Sequence, residues 1–429
     1  MNAIKKSIIQ PSILIIHIFI FGNLLIISNY ISYFLNFIFF QKIIIFFLLL
    51  TFFYQLLFFK DTLKYLIPLK ILIFLLIIFS ILKSTLDWDA LNIWLFHAKK
   101  IFYSKNILDM SNYFPSSHND YPLILPSLQA SINAYFLEIN YSDTKAEIFF
   151  SSKLAIQANL FFLIFPLFYI CSFIKDNINL WLFIILLIFI AEKLILSGSV
   201  DFILGLYFVA TFISLFRYFM QNKIYKYNQE FFLCFLNVII LTNLKNEGLA
   251  LFLTLYFSLF LTSYLFKDKS NNEKKIVILL ALLPILLWKY FCLKNNVTSD
   301  ILNENTISYM FNNFFSLRNY WMIFNEIFLN KSILLPLILL IVLIFKNMII
   351  IKSNNFFKVH LNIKQIYIFA IFSSIFYLMI LFSIYISTPH SLEWHLQTSA
   401  YRTVLPLGLL FLVIVFYNDE SSSKYLFKR

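Results

Sequence analysis

Charged residues, glycine and cysteine are all scarce in this chain. Only 13% of the 429 residues are charged, whereas 61% are hydrophobic and 20% are aromatic. The three cysteines each lie in or beside a different apolar run and form neither a CxxC nor a Cys/His spacing, which argues against a disulfide framework and a zinc site. The few glycines beside abundant Phe, Ile, Asn and Lys indicate a compositional bias, so a single Phe or Lys carries little weight alone.

Positive charge is in excess, but its distribution argues against a nucleic-acid partner. The net charge is +13, and the basic residues are spread over short segments between apolar runs, without forming one stripe. Lys and Arg collect on the cytoplasmic side of membrane proteins, which accounts for this distribution better. We therefore expect membrane lipid, and no nucleic acid, around this protein.

Long apolar runs are the dominant feature of the sequence. A helix of about 18 or more apolar residues crosses a bilayer core of about 30 Å. We therefore predict an all-α, polytopic transmembrane protein with about twelve spans. The predicted spans are 7–29, 43–59, 67–84, 148–174, 178–196, 199–216, 231–244, 248–266, 276–293, 332–351, 364–386 and 401–417.

The charge asymmetry predicts the orientation of these spans. If the N-terminus is cytoplasmic, most of the lysines and arginines fall in inside segments, including a short basic cytoplasmic tail at 418–429. Residues 7–29 follow two lysines but have no small-x-small cleavage site, so we favour a retained signal anchor over a cleaved signal peptide. Residues 1–417 then form a single transmembrane domain.

Two segments, 85–147 and 294–331, are long and are predicted to lie outside. In the first, apolar residues recur at helical spacing over 88–103, which predicts an amphipathic helix on the membrane surface. The next stretch, "YFPSSHNDYPLILP", has two prolines and no helical period, and is predicted to be an ordered loop. The stretch "PSLQASINAYFL" is predicted to form a second interfacial helix or a re-entrant segment.

The ionisable residues that lie near apolar spans all fall on this predicted outer side. Charged groups at membrane depth are by default candidates for function. Most of them also have a structural explanation. Asp87 and Asp201 could cap helices, Asp89 could be a first-turn acid favoured by the helix dipole, and Asp120 could be a turn former. Lys245 and Glu247 could form an ion pair in a tight turn, the histidines could be surface or hydrogen-bonded residues, and Arg402 could reach the interface. Their shared side is a better indication than any one of them. The candidates are Asp87, Asp89, His118, Asp120, Asp201, Lys245, Glu247, His390, Glu393, His395 and Arg402.

A carboxylate beside cationic groups at an outer membrane surface suits transfer of a group from a lipid phosphate. A positioned Asp can take the proton of an acceptor hydroxyl, and Lys or Arg can stabilise the leaving phosphate. The sequence indicates no certain cofactor. A divalent metal is an open alternative, because Asp87, Asp89, His118 and Asp120 could together bind one, although their spacing is not diagnostic.

Five stretches carry a resemblance to a known family. They are "DWDALNIWLFHAKKIF", "HNDYPLILPSLQA", "VDFILGLYFVATF", "LKNEGLALFL" and "SAYRTVLPLGLLFL". Together they resemble the GT-C superfamily of integral membrane glycosyltransferases, and most closely the bacterial enzymes related to the protein mannosyltransferase and aminoarabinose transferase group. The resemblance extends over roughly 7–417. This chain departs from the better-known members in having Asp-Trp-Asp where they have adjacent Asp-Glu.

The resemblance implies a multi-pass enzyme of the bacterial inner membrane, with its active site on the periplasmic face. Such an enzyme takes a sugar from a polyprenyl-phosphate carrier and transfers it to a glycan, lipid or protein. Asp89 would be the general base, or Asp87 if the register is shifted by two residues. The substrate-binding candidates would be Asp120, His118, Asp201, Lys245, Glu247, Glu393, His395 and Arg402, with Lys245 and Arg402 meeting the phosphate.

Two other functions remain open at this point. A transporter or flippase for a lipid-linked sugar would use a similar cationic cavity, but it is typically marked by charges at the membrane midplane and repeated halves, which this sequence does not display. An oligosaccharide polymerase or ligase usually has arginines and a histidine outside, whereas the first outer segment here is rich in acids.

Overall fold

The structure, a computed structural model, describes most of the chain. The described residues are 11–34, 67–82, 86–108, 117–141, 150–174, 177–192, 194–195, 197–220, 227–266, 272–297, 306–353 and 359–417. Their regular structure is entirely helical, and no strand occurs in these ranges. The all-α prediction is confirmed for this part of the chain. The predicted span 43–59 and the tail 418–429 lie outside the described residues.

The first six helices lie before, within and after the predicted outer segment 85–147 in the sequence. A π-helical turn, Ala90–Trp94, runs directly into α3. The helices are α1 (Pro11–Phe34), α2 (Ile67–Leu82), α3 (Leu95–Ser104), α4 (Ile124–Tyr141), α5 (Ser152–Cys171) and α6 (Asn177–Ala191).

The remaining helices include the longest apolar segments. A 3₁₀ turn, Ile278–Leu282, joins α10 to α11. The helices are α7 (Asp201–Met220), α8 (Tyr227–Leu244), α9 (Asn246–Leu265), α10 (Asn272–Val277), α11 (Leu283–Lys294), α12 (Thr306–Phe314), α13 (Leu317–Phe328), α14 (Lys331–Ser353), α15 (Val359–Ile386), α16 (Leu392–Thr403) and α17 (Leu405–Phe416).

Seven segments in the described ranges are long and apolar enough to cross a membrane, or eight if the bent pair α13 and α14 is one span. This is compatible with a multi-pass membrane protein. Three shorter apolar helices, Ile67–Ile78, Asn177–Ala191 and Gln229–Leu244, correspond to predicted spans but are too short for the same criterion. The count of about twelve therefore stays a prediction. The last span is longer than predicted, because α16 and α17 together form one segment, Leu392–Phe416.

Helix α7 lies at the centre of the bundle. Nearly all of its side chains are buried, and it packs against α5, α8, α9 and α17. Hydrogen bonds between uncharged polar side chains fix α1 beside it: the Tyr207 hydroxyl donates to Asn23 Oδ1 (3.0 Å), and Asn23 Nδ2 donates to Asn237 Oδ1 (2.7 Å). Such bonds hold helices together where apolar surface alone gives no preference between neighbours.

The predicted amphipathic helix 88–103 is helical, but it is not one regular helix. The π turn over Ala90–Trp94 inserts extra backbone and breaks the 3.6-residue period. Trp94 is buried, whereas Trp88 and Leu91 are 57% and 51% exposed. Helix α3 packs its apolar face on α4, so part of the predicted surface stripe is protein core. Helix α4, predicted to be interfacial or re-entrant, packs against α1, α3 and α5.

Candidate active site at the helix ends

Five of the predicted site residues form one continuous chain of ion pairs. Arg402 Nη1 donates to Asp89 Oδ2 and lies 3.9 Å from Asp201 Oδ2. The other oxygen of Asp201, Oδ1, accepts from Lys245 Nζ at 3.0 Å. Lys245 Nζ also lies 3.0 Å from Glu247 Oε1. Acids and bases therefore alternate along the chain, and residues more than 300 positions apart in sequence meet in one place.

The ends of helices bring these side chains together. Asp201 is the first residue of α7, and Lys245 is the single residue that separates α8 from α9. Arg402 lies in the last turn of α16, immediately before α17. Asp89 precedes the π turn that leads into α3. Asp201 and Lys245 stand at the ends of apolar helices, whereas Arg402 lies within the apolar segment Leu392–Phe416 and is paired there with Asp89.

Two glycines allow the backbones to approach closely enough for this arrangement. Gly198 has a φ of +83°, and a Cβ there would lie 2.7 Å from the Cβ of Ala90. The same contact is secured by the Asp87 amide, which donates to the Ser197 carbonyl at 3.1 Å. At Gly248 a Cβ would lie 1.9 Å from the Leu241 carbonyl oxygen. Gly198 lets the turn before α7 approach the segment that carries Asp89. Gly248 permits the sharp α8–α9 junction at Lys245.

The centre of the ion-pair chain is largely shielded from solvent. The side chains of Lys245 and Asp201 are 8% and 5% exposed, compared with 18% for Arg402 and 16% for Asp89. Burial alone would lower the pKa of the Lys245 ammonium, but the adjacent Asp201 and Glu247 carboxylates raise this pKa well above its ordinary value. Lys245 is therefore a permanent positive charge, and it does not act as a proton carrier near neutral pH.

A second polar group adjoins the first through Asn246, the residue after Lys245. Asn246 Nδ2 donates to Asp120 Oδ2 at 2.6 Å, and Asn246 Oδ1 accepts from Lys289 Nζ at 2.6 Å. Lys289 Nζ also lies 3.7 Å from Asp120 Oδ2 and donates to the Asp120 carbonyl at 3.2 Å. The Trp288 indole N–H donates to the same carbonyl at 3.0 Å. Asp120 is thus brought to the site, as its predicted outer position required.

Aromatic rings separate and shape the two polar groups. The Tyr121 ring stacks against His118 at 4.8 Å and against Trp94 at 5.7 Å between centroids. Lys245 Nζ lies 5.7 Å from the centre of the Tyr121 ring. Tyr121 is buried, which raises the pKa of its hydroxyl well above the ordinary value. This face is therefore apolar and neutral, and it resembles the surfaces on which proteins pack the flat side of a ring.

Several polar atoms of the site are buried without a hydrogen-bond partner among the described residues. Two are acceptors, Asp120 Oδ1 and Glu247 Oε2, and two are donors, Arg402 Nε and Trp94 Nε1. Buried polar groups in proteins are normally paired. A site that holds both unpaired donors and unpaired acceptors suits a ligand that has hydroxyl groups, because a hydroxyl can both donate and accept.

The charge of the whole group is close to balanced. Its carboxylates are Asp89, Asp120, Asp201 and Glu247, and its cations are Lys245, Lys289 and Arg402. An anionic ligand would therefore find no uncompensated positive charge in the resting site. It would have to displace a carboxylate from one of the three cations.

The other predicted site residues are not members of the ion-pair chain. Asp87 contacts its surroundings through the backbone, and Leu91 N donates to its carbonyl at 3.2 Å. His395 lies on α16, where its Nδ1 is 2.8 Å from the Thr388 hydroxyl and its ring lies 5.0 Å from that of Tyr385. Glu393 is exposed on the first turn of the same helix.

The proposed metal ligands do not form a metal site in this structure. Within the described ranges, no three His, Cys, Asp or Glu side chains are placed so that they could hold one ion. Asp89 and Asp120 are instead committed to Arg402 and to Asn246 with Lys289.

Sequence reasoning missed Lys289, Asn246, Trp288 and the two aromatic residues Trp94 and Tyr121. Lys289 stands near the end of the predicted span 276–293, and it was passed over because lysine is common throughout this chain. Its position within an otherwise apolar run was the signal that could have identified it. Asn246 is uncharged and carried no such signal.

Searches of protein-family models, of curated proteins and of solved structures found nothing that matches this chain.

Proposed function

We propose that this chain is a membrane glycosyltransferase that transfers a sugar from a polyprenyl-phosphate donor to an acceptor hydroxyl. The observation that carries the proposal is the ion-pair chain from Asp89 through Arg402, Asp201 and Lys245 to Glu247, with unpaired polar atoms beside it. The resemblance of the surrounding sequence stretches to the GT-C superfamily supports the same chemistry.

In the proposed reaction, Asp89 is the general base. It takes the proton of the acceptor hydroxyl while that oxygen bonds to the anomeric carbon of the donor. The bond between this carbon and the phosphate oxygen breaks, and its electron pair leaves with the lipid phosphate. A single displacement of this kind inverts the anomeric centre. Proton transfer to a positioned base contributes about 10²–10⁴ in rate.

The leaving phosphate would be stabilised by Arg402, with Lys245 behind it. In the resting structure Arg402 is bonded to Asp89, so a phosphate that takes the guanidinium competes with that carboxylate. Guanidinium binds phosphate through the same paired N–H groups that bind carboxylate. Donor binding at Arg402 would therefore also release Asp89 towards the acceptor. Asp201 remains between Arg402 and Lys245 and keeps both cations in position.

The remaining polar groups would bind the sugar and the acceptor. Asp120 Oδ1 and Glu247 Oε2 can each accept a hydroxyl hydrogen, and the Trp94–Tyr121–His118 stack offers a flat apolar face for a sugar ring. The sugar and the acceptor are specified by the shape of these surroundings. The site is proposed to lie on the periplasmic face of the bacterial inner membrane.

The proposal is tested with purified protein in vesicles and a panel of polyprenyl-phosphate sugars carrying a labelled sugar. Membrane extract supplies glycan, lipid and protein acceptors. We expect the label to become covalently attached to an acceptor, with release of one polyprenyl phosphate per sugar. Movement of intact donor across the vesicle membrane without cleavage would instead establish a transporter. Joining of sugar chains longer than one unit would establish a polymerase or ligase.

A further inference from the structure

Helices α12 and α13 present an exposed aromatic surface that the proposed reaction does not use. Phe315, Leu317 and Trp321 are 83%, 84% and 64% exposed, and Phe311 and Phe324 are also exposed. The rings of Trp321 and Phe324 stack with centroids 5.9 Å apart, and the rings of Phe324 and Phe328 are tilted with centroids 4.6 Å apart. Apolar surface of this kind, concentrated on one side, marks an interaction site.

Helix α13 has three distinct faces. Ile323 and Ile327 are fully buried and form the inner face, which packs against α16. Arg318 and Glu326 are exposed on a polar face. The third face is apolar and points outwards, and at the spacing of three to four residues it holds Leu317, Trp321, Phe324 and Phe328. A helix with one side in protein, one in water and one in an apolar medium fits the boundary of a bilayer.

The direction of α13 supports this location. Helix α13 and the apolar part of α14, Lys331–Phe345, meet at a bend of 72°. If α14 crosses the membrane, α13 runs nearly along its surface. Helix α14 also exposes apolar residues, namely Ile338, Val342 and Phe345. Exposed apolar side chains are therefore present on both sides of the bend.

The two helices are fixed to the rest of the protein. Asn313 Nδ2 donates to the carbonyl of Ile386 at the end of α15 (3.0 Å), and Asn319 Nδ2 donates to Asn313 Oδ1 (3.2 Å). The Ser316 hydroxyl accepts from the Asn319 amide and caps α13. Tyr320 stacks on Phe382 at 6.3 Å. The outward aromatic surface is thus held in one orientation.

We infer that α12 and α13 form a bilayer-docking segment, with the face of Leu317, Trp321 and Phe324 inserted at the boundary between lipid head groups and acyl chains. Tryptophan favours this depth because its ring is apolar and its N–H is polar. Since α13 packs against α16, which carries Arg402, docking would set the level of the candidate active site relative to the lipid surface. The inference does not depend on the proposed reaction.

The test places an environment-sensitive fluorophore at single positions in the full chain. The three native cysteines are buried, so a thiol reagent reacts first at an introduced cysteine. The variants are Trp321→Cys on the apolar face and Glu326→Cys on the polar face of the same helix. Each is reconstituted in vesicles of phosphatidylcholine and phosphatidylglycerol that carry a spin-label quencher either near the head group or near the end of the acyl chain.

For Trp321→Cys we expect the shallow quencher to act at least about three-fold more strongly than the deep one, and iodide in the water to act weakly. For Glu326→Cys we expect the reverse, with strong quenching by iodide. Equal quenching by iodide at both positions, stronger quenching by the deep label at Trp321→Cys, or cross-linking of that position to a second copy would overturn the inference. Leu317→Cys, on the same face, replaces Trp321→Cys if that variant does not fold.

Discussion

At the scale of single residues, two side chains of the site each interact with two opposite charges. Arg402 lies beside the carboxylates of Asp89 and Asp201, and Asp201 lies beside Arg402 and Lys245. A change at Arg402 or Asp201 therefore affects both of its neighbours. Removing one partner of a buried ion pair leaves an uncompensated charge and is strongly destabilising. Variants of Asp201 and Lys245 will therefore report on folding as much as on function, and the more exposed residues are better probes of function.

Lys289 is such a probe, because its side chain is 33% exposed and it is held by Asn246 and Asp120. We expect Lys289→Gln to raise the apparent KM for the lipid-phosphate donor by about three- to ten-fold, with a smaller effect on kcat, since a partly exposed charge contributes modestly. Lys289→Arg should recover most of the loss. The exposed Lys294, at the end of the same helix, gives the control variant Lys294→Gln. An effect confined to kcat, or an equal effect in the control, would contradict the account in which Lys289 holds Asp120 in position to bind the sugar of the donor.

The sequence pointed to six charged residues that lie together in the structure, but it missed Lys289 and the uncharged partners of these residues. Asp89, Asp120, Asp201, Lys245, Glu247 and Arg402 were identified because charge near an apolar span is rare and costly. Asn246 and Tyr121 were missed because amides and aromatic rings are common in this chain, and only the folded geometry distinguishes them. Glu393 was included because it is near Arg402 in sequence, but on α16 it is exposed.

At the scale of elements, the junction between α8 and α9 determines where Lys245 lies. Gly248 N donates to the Lys245 carbonyl at 2.9 Å, so the turn is closed within three residues. Junctions of this kind depend on backbone approach, which hydropathy does not report. Hydropathy did not predict the π turn at Ala90–Trp94 either, because its residues have the pattern of an ordinary amphipathic helix.

We expect Gly248→Ala to destabilise the protein by about 1–3 kcal/mol, because its Cβ would meet the backbone of Leu241, which cannot move away alone. Gly205→Ala is the matched control. Its Cβ would meet the tip of the Leu409 side chain, which can rotate. Thermal unfolding in detergent compares the two variants. A larger loss in Gly205→Ala than in Gly248→Ala would show that the junction is not the constrained point.

The contact between α3 and the loop at Ser117 should depend on pH. His97 Nε2 donates to the Ser117 carbonyl at 2.9 Å, and burial lowers the pKa of His97 from 6.5 to about 4. When the contact opens, His97 regains its ordinary pKa, so the open form binds more protons between these two values. The contact is therefore fully stable above pH 6.5, and it weakens by up to about 1.4 kcal/mol per unit as pH falls towards 4.

Hydrogen exchange of the amides at 117–121, corrected for the intrinsic effect of pH, measures this weakening. We expect protection to fall between pH 7.5 and pH 5 in the native chain. His97→Gln keeps an N–H donor without a titrating ring and should remove most of the dependence. Protection that does not change with pH in the native chain would contradict the account.

At the scale of the whole molecule, the charges of α7 collect at its two ends. Asp201 begins the helix and belongs to the candidate site, whereas Arg217 in the last turn donates to Glu230 at 2.6 Å and lies over the Phe173 ring. The two residues are about 24 Å apart along a helix of 1.5 Å rise per residue. The intervening residues carry no charge. This spacing agrees with a helix that crosses an apolar layer and holds one polar cluster at each surface.

The predicted orientation can be tested by labelling one position on each predicted side of the membrane. Trp88→Cys lies beside the candidate site, and Ser270→Cys lies in the lysine-rich segment 267–275. In intact bacterial cells, we expect a membrane-impermeant thiol reagent to label the first variant and to label the second only after the cells are opened. Labelling of both variants from the same side would refute the orientation and with it the periplasmic site.

The central claim is that the ion-pair chain is an active site in which Asp89 is the base. The most direct measurement is the initial rate of labelled-sugar transfer by the native chain, Asp89→Asn and Asp87→Asn, each at equal amounts of folded protein. We predict that Asp89→Asn loses at least about 100-fold in rate and that Asp87→Asn stays within about ten-fold of the native chain. A native rate in Asp89→Asn, or a loss confined to Asp87→Asn, would contradict this assignment.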